Sequence, residues 1–306
     1  MTQNRELLHV FISNPYAGKD RDRRALIRAI QAAATKLRLP YEFHYTQNER
    51  DAEAFVASYD CKKTARFYAI GGDGTLNDVA NGILKRKGQS ELALIPRGTG
   101  NDFARFFEDE DFFENLEKQM LAKAKPIDVI VTDAGLCGVN MINIGVDADT
   151  AAEVHRFDRY VPGPLAYIFA LIDRVLLHPL GCAMEISIDD EEPLCGDFLL
   201  VSFANGAFCG GGFKAAPKAV LDDGLMEICV VKPVSRLTFV KVVGGYRNGT
   251  HLDDPRYQSI LSYRRGKKIQ VKTEKPIQVC IDGQIIKTTE IQAEILPQSI
   301  AFVTPQ

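Results

Sequence analysis

The amino-acid sequence predicts an α/β N-terminal domain with a mostly parallel sheet, followed by a mainly β C-terminal domain. Between residues 6 and 106, apolar strand-like runs alternate with helical patterns, as they do in βαβ units. Beyond about residue 127 the runs are mostly strand-like and are separated by Gly, Asp-Asp or Asn-Gly turns. The chain has 306 residues, which favours two domains over one.

The elements of the first domain follow in a regular order. "LLHVFISN" predicts a strand and "DRDRRALIRAIQAAATKLR" a helix, because Leu26, Ile27, Ile30 and Ala34 recur at helical spacing. Next come the strand "YEFHYT", the helix "RDAEAFVASY", the strand "ARFYAI", the helix "TLNDVANGILKR" and the strand "LALIPRG".

The second domain is predicted to be mainly β. Its strands are "GVNMINIGVD", "CAMEISIDD", "DFLLVSFANG", "LMEICVVK", "KKIQVKT" and "PIQVCIDG", and helical patterns occur at about 163–178 and 235–246. The last strand-like stretch, "IQAEILPQSIAFVTP", is compatible with either domain, and we expect it to return to the first. The predicted domains are therefore 1–125, joined by 292–306, and 126–291.

Composition and charge exclude several classes of protein. A net charge of −3 is unsuited to a nucleic-acid-binding protein, which needs a clustered basic excess. The N-terminus has no pattern of a signal peptide, and "GPLAYIFALIDRVLLHPL" is interrupted by Asp173, Arg174 and two prolines, which disfavours a membrane span. The seven cysteines show no C-x-x-C pair, so neither a zinc site nor a disulfide framework is indicated. We expect a cytoplasmic protein.

A glycine-rich turn stands out at residues 67–84, "FYAIGGDGTLNDVANGIL". Gly71, Gly72 and Gly74 surround Asp73 between a predicted strand and a predicted helix. Glycine lets a ligand approach the backbone, and successive N–H groups in such a turn can face an anion. The helix that begins near Thr75 adds its positive end. The turn therefore predicts an anion cradle; the alternative is a tight strand-to-helix connection with Asp73 as its N-cap.

Two further segments follow strands in the same way. "PRGTGNDFA" (96–104) repeats the glycine-rich strand-to-helix design, and "SNPYAGK" (13–19) offers Asn14, Gly18 and Lys19 to a polar ligand. Ligands of open α/β sheets bind at the carboxyl ends of strands, so two glycine-rich turns on neighbouring strands favour phosphate binding. Neither the Walker A pattern nor the G-x-G-x-x-G fingerprint is present, so the site is of another design.

Together these segments resemble the diacylglycerol kinase catalytic family. "GGDGTLN", "SNPYAGK", "PRGTGNDFA", "AAPKAVLDDGLM" and "CIDGQ" occur in the family's order along nearly the whole chain. The similarity is to bacterial soluble lipid kinases, which are related to sphingosine and ceramide kinases. It implies an NAD kinase/diacylglycerol kinase-like fold and transfer of the γ-phosphate of ATP to a lipid hydroxyl with Mg²⁺. Diacylglycerol is the expected acceptor.

The resemblance also implies which residues form the ATP site. Thr46 ends the second strand, where a strand-end cap is the alternative role. An acidic network of Asp73, Asp102 and Asp128 would hold water and magnesium near the phosphates, and the first two lie in glycine-rich turns. The implied ATP-binding residues are Asn14, Pro15, Gly18, Thr46, Gly71, Gly72, Asp73, Gly74, Thr75, Asn77, Gly98, Thr99 and Asn101.

Two segments of the second domain are assigned by the same resemblance. "AVLDDGLM" (219–226) resembles a structural magnesium site with the Asp223 carboxylate and the carbonyls of Val220 and Leu225 as ligands, and oxygen ligands suit a hard cation. Asp282 is the implied catalytic base, with Asp73 acting beside the phosphates. The family usually reads Asp-Gly-Glu where this chain has Gln284 in place of Glu. For both segments the structural alternative is a plain Asp-Gly turn.

Other functions remain as alternatives. NAD kinases and phosphofructokinase relatives also use a GGDG turn, but they normally lack "GTGNDFA". The Gln284 replacement is compatible with a catalytically silent nucleotide- or lipid-binding regulator. A lipid kinase without a spanning segment is expected to contact the membrane peripherally, at the inner face, and to bind no nucleic acid. The sequence leaves a homodimer open.

Overall fold

A computed structural model describes residues 7–15, 20–157, 159–161 and 164–305. The chain divides into two compact units. The first unit is Met1–Ile127 with Gln298–Gln306, and the second is Asp128–Pro297. The sequence-based boundaries lie at 125 and 291, a few residues from these.

The described helices and strands alternate in the first part of the chain. They are β1 (Leu7–Ser13), α1 (Asp20–Leu37), β2 (Tyr41–Tyr45), α2 (Asp51–Ser58), β3 (Thr64–Gly71), α3 (Asp73–Lys85), β4 (Ser90–Pro96), α4 (Glu110–Glu114), α5 (Leu116–Leu121) and β5 (Ala124–Thr132). Strands predominate thereafter. They are β6 (Cys137–Gly138), β7 (Met141–Gly145), β8 (Cys182–Ile188), β9 (Leu194–Phe198), β10 (Leu200–Ala204), β11 (Met226–Val231), β12 (Leu261–Gly266), β13 (Lys268–Ile281) and β14 (Gln284–Val303). The helices among them are α6 (Val146–Glu153), α7 (Pro164–Leu177) and α8 (Arg236–Asn248).

The sheet of the first unit is parallel. Its order is β2-β1-β3-β4, and the end of β14 adds a further parallel strand beside β4 through Ala301 and Phe302. Val10, Phe11, Phe67 and other strand residues are fully buried, as expected for a parallel sheet covered on both faces. Because the strands are parallel, β1, β2, β3 and β4 all end at the same edge of this sheet. The predicted α/β class is confirmed, and the end of the last strand, from Gln298 on, returns to the first unit.

The sheet of the second unit is antiparallel, in the order β12-β11-β10-β7-β13-β14, and β8 and β9 pair onto β13. One face carries an apolar core that includes Ile142, Phe203 and Ile228. Residues of α7 and α8 pack against the opposite face of β10 and β11, next to Leu200 and Cys229. This confirms the mainly β class predicted for the second domain.

Two elements of the second unit differ from the sequence-based expectation. β13 runs through both segments that were predicted as separate strands, with an irregularity between Lys272 and Ile277. The strand predicted over "GVNMINIGVD" ends at Gly145, where φ is +89°, and α6 begins at the next residue. A Cβ at Gly145 would lie 2.4 Å from the carbonyl oxygen of Leu199, so only glycine permits this sharp turn.

Among the described residues, no helix has the length and apolar content needed to cross a membrane.

Candidate active site

The glycine-rich turn joins β3 to α3 as predicted. β3 ends at Gly71, Gly72 is the N-cap of α3, and no side chain caps the helix there. Asp73 is the first helical residue, so its proposed alternative role as the N-cap is wrong. The first N–H groups of α3 therefore receive no cap from the side chain of their N-cap residue, and such groups are suited to an anion.

The two glycine-rich turns are in direct contact. A Cβ at Gly98 would lie 2.3 Å from Cα of Gly72, so the backbones approach too closely for any side chain at Gly98. The N–H of Arg97 donates to the carbonyl of Gly71 at 2.7 Å. β3 and β4 are neighbours in the sheet, and the contact makes their two turns one continuous surface.

Asp73, in the first turn, binds the backbone of the second turn through its carboxylate. Its Oδ2 accepts a hydrogen bond from the N–H of Asp102 at 3.0 Å, and its Oδ1 accepts from the N–H of Phe103 at 3.1 Å. An ionised carboxylate has about four lone-pair positions, so these two bonds leave about two for other donors or a cation. The carboxylate fixes the geometry of the turns and stays able to meet a ligand.

Gly74 gives the clearest access to the backbone. It is exposed, and a Cβ at this position would meet no atom within 4 Å. At Gly71, in contrast, a Cβ would lie 2.2 Å from Oγ1 of Thr75, so this glycine is needed for packing. The glycines of one turn thus have different roles, and Gly74 is the one that leaves room for a ligand.

The ends of β1 and β2 adjoin the turns. Asn14 donates from Nδ2 to Oγ1 of Thr75 at 3.5 Å, which links the "SNPYAGK" segment to α3. Thr46 is buried, and its N–H donates to the carbonyl of Ser13 at 3.1 Å. The carbonyl of Pro15 accepts from the guanidinium of Arg23, a residue that the sequence reasoning did not select although it lies in the basic run "RDRR". Gly18 lies outside the described residues.

The remaining predicted ATP residues occupy different environments. Thr99 is exposed in the second turn. Asn101 accepts from the N–H of Gly98 and donates to its carbonyl, each at 2.9 Å, and so shapes the turn from within. Asn77 is fully buried inside α3 and accepts from Nδ2 of Asn81 at 2.9 Å. Thr99 is thus exposed, Asn101 is half-buried and Asn77 is closed to solvent.

Two acidic residues of the first unit, Asp73 and Asp102, lie close together. Asp102 is buried, and a Cβ at Gly100 would be equidistant from an oxygen of Asp102 and one of Asp73, at 3.3 Å. No group of three or more His, Cys, Asp or Glu side chains among the described residues is arranged to hold a metal. Magnesium commonly binds to one or two carboxylates together with waters and phosphates, and the Asp73–Asp102 pair fits that mode.

Asp128 belongs to the second unit, where it is fully buried on β5. Its Oδ2 accepts from the N–H of Gly224 at 2.7 Å, and its own N–H donates to the carbonyl of Leu221 at 2.6 Å. Asp128 therefore fastens the 219–226 loop to β5.

The second predicted metal site contains an ion pair. Asp223 accepts from the N–H of Leu225 at 3.1 Å and from the guanidinium of Arg265. Arg265 also bonds to Glu227 at 2.8 Å, and burial raises the pKa of Glu227 although Arg265 opposes the shift. Val220 is an exposed residue of the same loop. A guanidinium next to Asp223 supplies the positive charge that a cation would bring, so this arrangement does not fit a metal site.

Asp282 is engaged with backbone donors. Its carboxylate accepts from the N–H groups of Val139 at 2.6 Å, Asn140 at 3.2 Å and Met141 at 2.7 Å. Its φ of +47° places it in a left-handed turn between β13 and β14. If the carboxylate accepted a proton, its hydrogen bonds from these donors would weaken. The contacts therefore favour a turn-anchoring role for Asp282 over general-base chemistry.

An apolar cavity of ≈ 40 Å³ lies within the second unit and was not foreseen. Its walls include Tyr167 and Leu171 of α7, Phe239 and Val243 of α8, and Val231 of β11. It is too small for an acyl chain, so the helices would have to separate to admit one.

Asp147 is an acidic residue in the lining of this cavity. Burial raises the pKa of Asp147 to about 6, and a hydrogen bond from Tyr246, with 3.4 Å between the oxygens, pulls it back only partly. Asp147 was not predicted as a site residue, because "GVNMINIGVD" predicts a strand and contains no ligand motif. The available signal was Asp147 directly after the apolar run, with Asp149 two positions later.

The fold is that of an α/β protein with two adjoining glycine-rich turns and a β-rich second unit, and two family models match the chain. Residues 9–132 match the diacylglycerol kinase catalytic domain, and residues 140–304 match the YegS C-terminal NAD kinase beta sandwich-like domain. The chain therefore belongs to the diacylglycerol kinase family. A Staphylococcus aureus protein named "Putative lipid kinase" is 26% identical over 264 residues, which cover 85% of each chain.

Solved structures share the fold. A structure titled "putative diacylglycerol kinase from Bacillus anthracis" has a TM-score of 0.76 at 22% identity and covers 100% of this chain and 98% of its own. An Archaeoglobus fulgidus NAD kinase in complex with ATP has a TM-score of 0.51 at 15% identity and covers 97% and 93%. These similarities confirm the predicted NAD kinase/diacylglycerol kinase-like fold.

Proposed function

We propose that the protein is an ATP-dependent lipid kinase that phosphorylates diacylglycerol to phosphatidic acid. The observation that carries the proposal is the open backbone at Gly74, next to the N-terminus of α3 and in one surface with the second glycine-rich turn. This surface offers N–H groups, a positive helix end and exposed Thr99 to a chain of phosphates. Membership of the diacylglycerol kinase family supports ATP as the phosphate donor.

The phosphoryl group passes directly from ATP to the lipid, without a covalent enzyme intermediate. The lipid hydroxyl oxygen attacks the γ-phosphorus, the bond from that phosphorus to the β,γ-bridging oxygen breaks, and ADP leaves. Asp73 and Asp102 are the residues that would hold magnesium, which neutralises charge on the phosphates when bound. The hydroxyl proton goes to a nearby carboxylate or to a phosphate oxygen. Since Asp282 is tied to three backbone N–H groups, we assign it to positioning of the 139–141 backbone.

A lipid acceptor is favoured over NAD by the lining of the cavity in the second unit. Tyr167, Leu171, Phe239 and Val243 offer aliphatic and aromatic surface. Once α7 and α8 separate, this surface suits acyl chains and offers few partners to a dinucleotide's ribose and phosphate groups. Incubation of purified protein with γ-labelled ATP, magnesium and a panel of lipids tests the proposal. Label in phosphatidic acid is expected. ATP binding without transfer to any acceptor would instead identify a silent regulator.

A further inference from the structure

Helix α7 of the second unit is apolar on its outer face as well as its inner one. Leu165, Phe169, Ile172 and Leu176 recur at positions i, i+4, i+7 and i+11, so they form one stripe along the helix. All four are exposed, with 46% exposure at Phe169 and 57% at Leu176. Helices on the surface of soluble proteins normally turn polar residues outward, so this stripe requires an explanation.

Helix α8 continues the pattern. Leu237 is 77% exposed and Val240 is 67% exposed, and they lie three residues apart on one side of the helix. Arg236, at the start of α8, donates to the carbonyl of Val175 at 2.9 Å and to that of His178 at 3.3 Å. The start of α8 is thereby fastened to the end of α7. We call the six residues Leu165, Phe169, Ile172, Leu176, Leu237 and Val240 the α7–α8 surface.

Positive charge accompanies the α7–α8 surface. Residues 232–248 contain Lys232, Arg236, Lys241 and Arg247 and no acidic residue, although the whole chain has a net charge of −3. Before α7, the guanidinium of Arg159 lies 4.8 Å from the ring centroid of Tyr160, which is 73% exposed. Apolar side chains with basic and aromatic residues around them are typical of proteins that bind the interface of an anionic bilayer.

The inner faces of the same two helices line the apolar cavity. Tyr167 and Leu171 of α7 and Phe239 and Val243 of α8 lie on its walls. The outer stripe and the cavity are therefore separated only by the thickness of these helices. If α7 and α8 separated, a lipid leaving a bilayer beneath the α7–α8 surface would reach the cavity.

We propose that the α7–α8 surface docks the protein onto an anionic lipid bilayer and that the acceptor lipid enters the second unit there. The entry of the acceptor rests on the proposed lipid kinase function, whereas docking can be measured without it. A second copy of the chain is a poorer occupant, because a symmetric contact through this surface brings the basic residues of both copies together. The bilayer offers the complementary charge.

Flotation with vesicles, without ATP, tests the docking. Wild-type protein is expected to float with vesicles of phosphatidylcholine and phosphatidylglycerol and to bind far less to phosphatidylcholine alone or at high salt. The double variant Phe169→Glu/Leu176→Glu should reduce binding by about tenfold or more, and Lys241→Glu by several-fold. Leu121→Glu is the matched control, since Leu121 is 50% exposed in the first unit, and it should bind as wild type does.

Four outcomes separate the claims. Unchanged flotation of the double variant would overturn docking through this surface. A wild-type dimer by size exclusion that the double variant dissociates, without an effect on vesicles, would overturn it in favour of self-association. Normal flotation without phosphorylation of any lipid would leave docking standing and would contradict the kinase proposal. The double variant should lose much more turnover with an acceptor held in vesicles than with a short-chain acceptor dispersed in solution. An equal loss with both would overturn entry of the acceptor from the bilayer at this surface.

Discussion

The carboxylate of Asp73 accepts a hydrogen bond from the backbone N–H of Asp102 at 3.0 Å. This bond spans the turns at the ends of β3 and β4, and a second bond from Phe103 strengthens it. Asp73 therefore sets the distance between the two glycine-rich turns through bonds within the protein. Its position in the first turn of α3 also suits a residue that meets magnesium beside phosphates.

Asp73→Asn is expected to abolish phosphoryl transfer and to leave the fold intact. The side chain is nearly isosteric, but it loses the negative charge and can place an amide N–H against a backbone donor. Loss of one such bond costs about 1–3 kcal/mol, so the melting temperature should fall only modestly. Turnover, magnesium dependence and thermal unfolding are measured together, with Asp60→Asn as an exposed control. Near-normal turnover with an unchanged magnesium requirement would refute the role of Asp73.

Gly74→Val is expected to weaken ATP binding while the fold persists. A Cβ at Gly74 meets nothing in the protein, and valine has a higher helix propensity than glycine, so the substitution should not destabilise α3. The branched side chain would occupy the space that phosphates need. Titration with ATP measures the loss. Gly98→Ala is the contrasting variant, because its Cβ would collide with Gly72 and should destabilise the first unit. Unaltered ATP affinity in Gly74→Val would mean that the turn is only a connection.

Asp282→Asn is expected to act on stability more than on chemistry. An amide cannot accept as a carboxylate does from the N–H groups of Val139 and Met141, and the loss should lower the free energy of unfolding by about 1–3 kcal/mol. Asp189→Asn is the matched control, since Asp189 also accepts from backbone N–H groups at a positive φ of 48°.

Both variants should keep turnover per folded molecule. If Asp282 is the base, the turnover of Asp282→Asn should instead drop roughly 10²- to 10⁴-fold. Its loss of stability should then be no larger than that of Asp189→Asn. Gln284→Glu restores the family's Asp-Gly-Glu triplet and should preserve or raise activity if that side chain faces the acceptor.

Asp147 makes stability depend on pH. Burial raises its pKa to about 6 in the folded protein, from 3.8 as the ordinary value. The folded state therefore holds the proton more tightly, and the stability that this provides is present below about pH 4 and is lost as pH rises through 6. Around the carboxyl, Tyr246 donates a hydrogen bond and the thiols of Cys229 and Cys280 are neutral, since burial raises the pKa of both to about 12.

Asp147→Asn removes this ionisation. One pKa unit corresponds to about 1.4 kcal/mol. The free energy of unfolding of Asp147→Asn should therefore exceed that of the wild type by up to about 3 kcal/mol at pH 8 and should nearly equal it at pH 4. Denaturant unfolding at the two pH values measures the difference. An equal effect at both pH values would show that the carboxyl is not held in an unfavourable charged state.

The sequence predicted the fold well where local patterns decide it. The alternation around "FYAIGGDGTLNDVANGIL" corresponds to β3 and α3, and the strand order places the two glycine-rich turns side by side. α6 was not predicted, because the apolar run of β7 continues into it and the positive φ at Gly145 leaves no mark beyond one glycine. Local patterns carry little information about such turns.

Side-chain contacts between distant segments were harder to foresee. The pairing of Asp223 with Arg265 joins residues 42 positions apart on a loop and on β12, and no motif connects them. The three backbone donors at Asp282 come from residues about 140 positions earlier in the chain. These contacts depend on the register of antiparallel strands, which the sequence alone does not specify. The sequence motifs identified Asp223 and Asp282 as candidate residues, but they did not predict the partners of these carboxylates.

The most direct test offers the purified protein γ-labelled ATP with NAD and with diacylglycerol in mixed micelles, side by side, for wild type and Gly74→Val. Label in phosphatidic acid, strongly reduced in the variant and absent from the dinucleotide, is the predicted result. Label in NADP, or label in neither product while ATP still binds, would contradict the assignment of this chain as a lipid kinase.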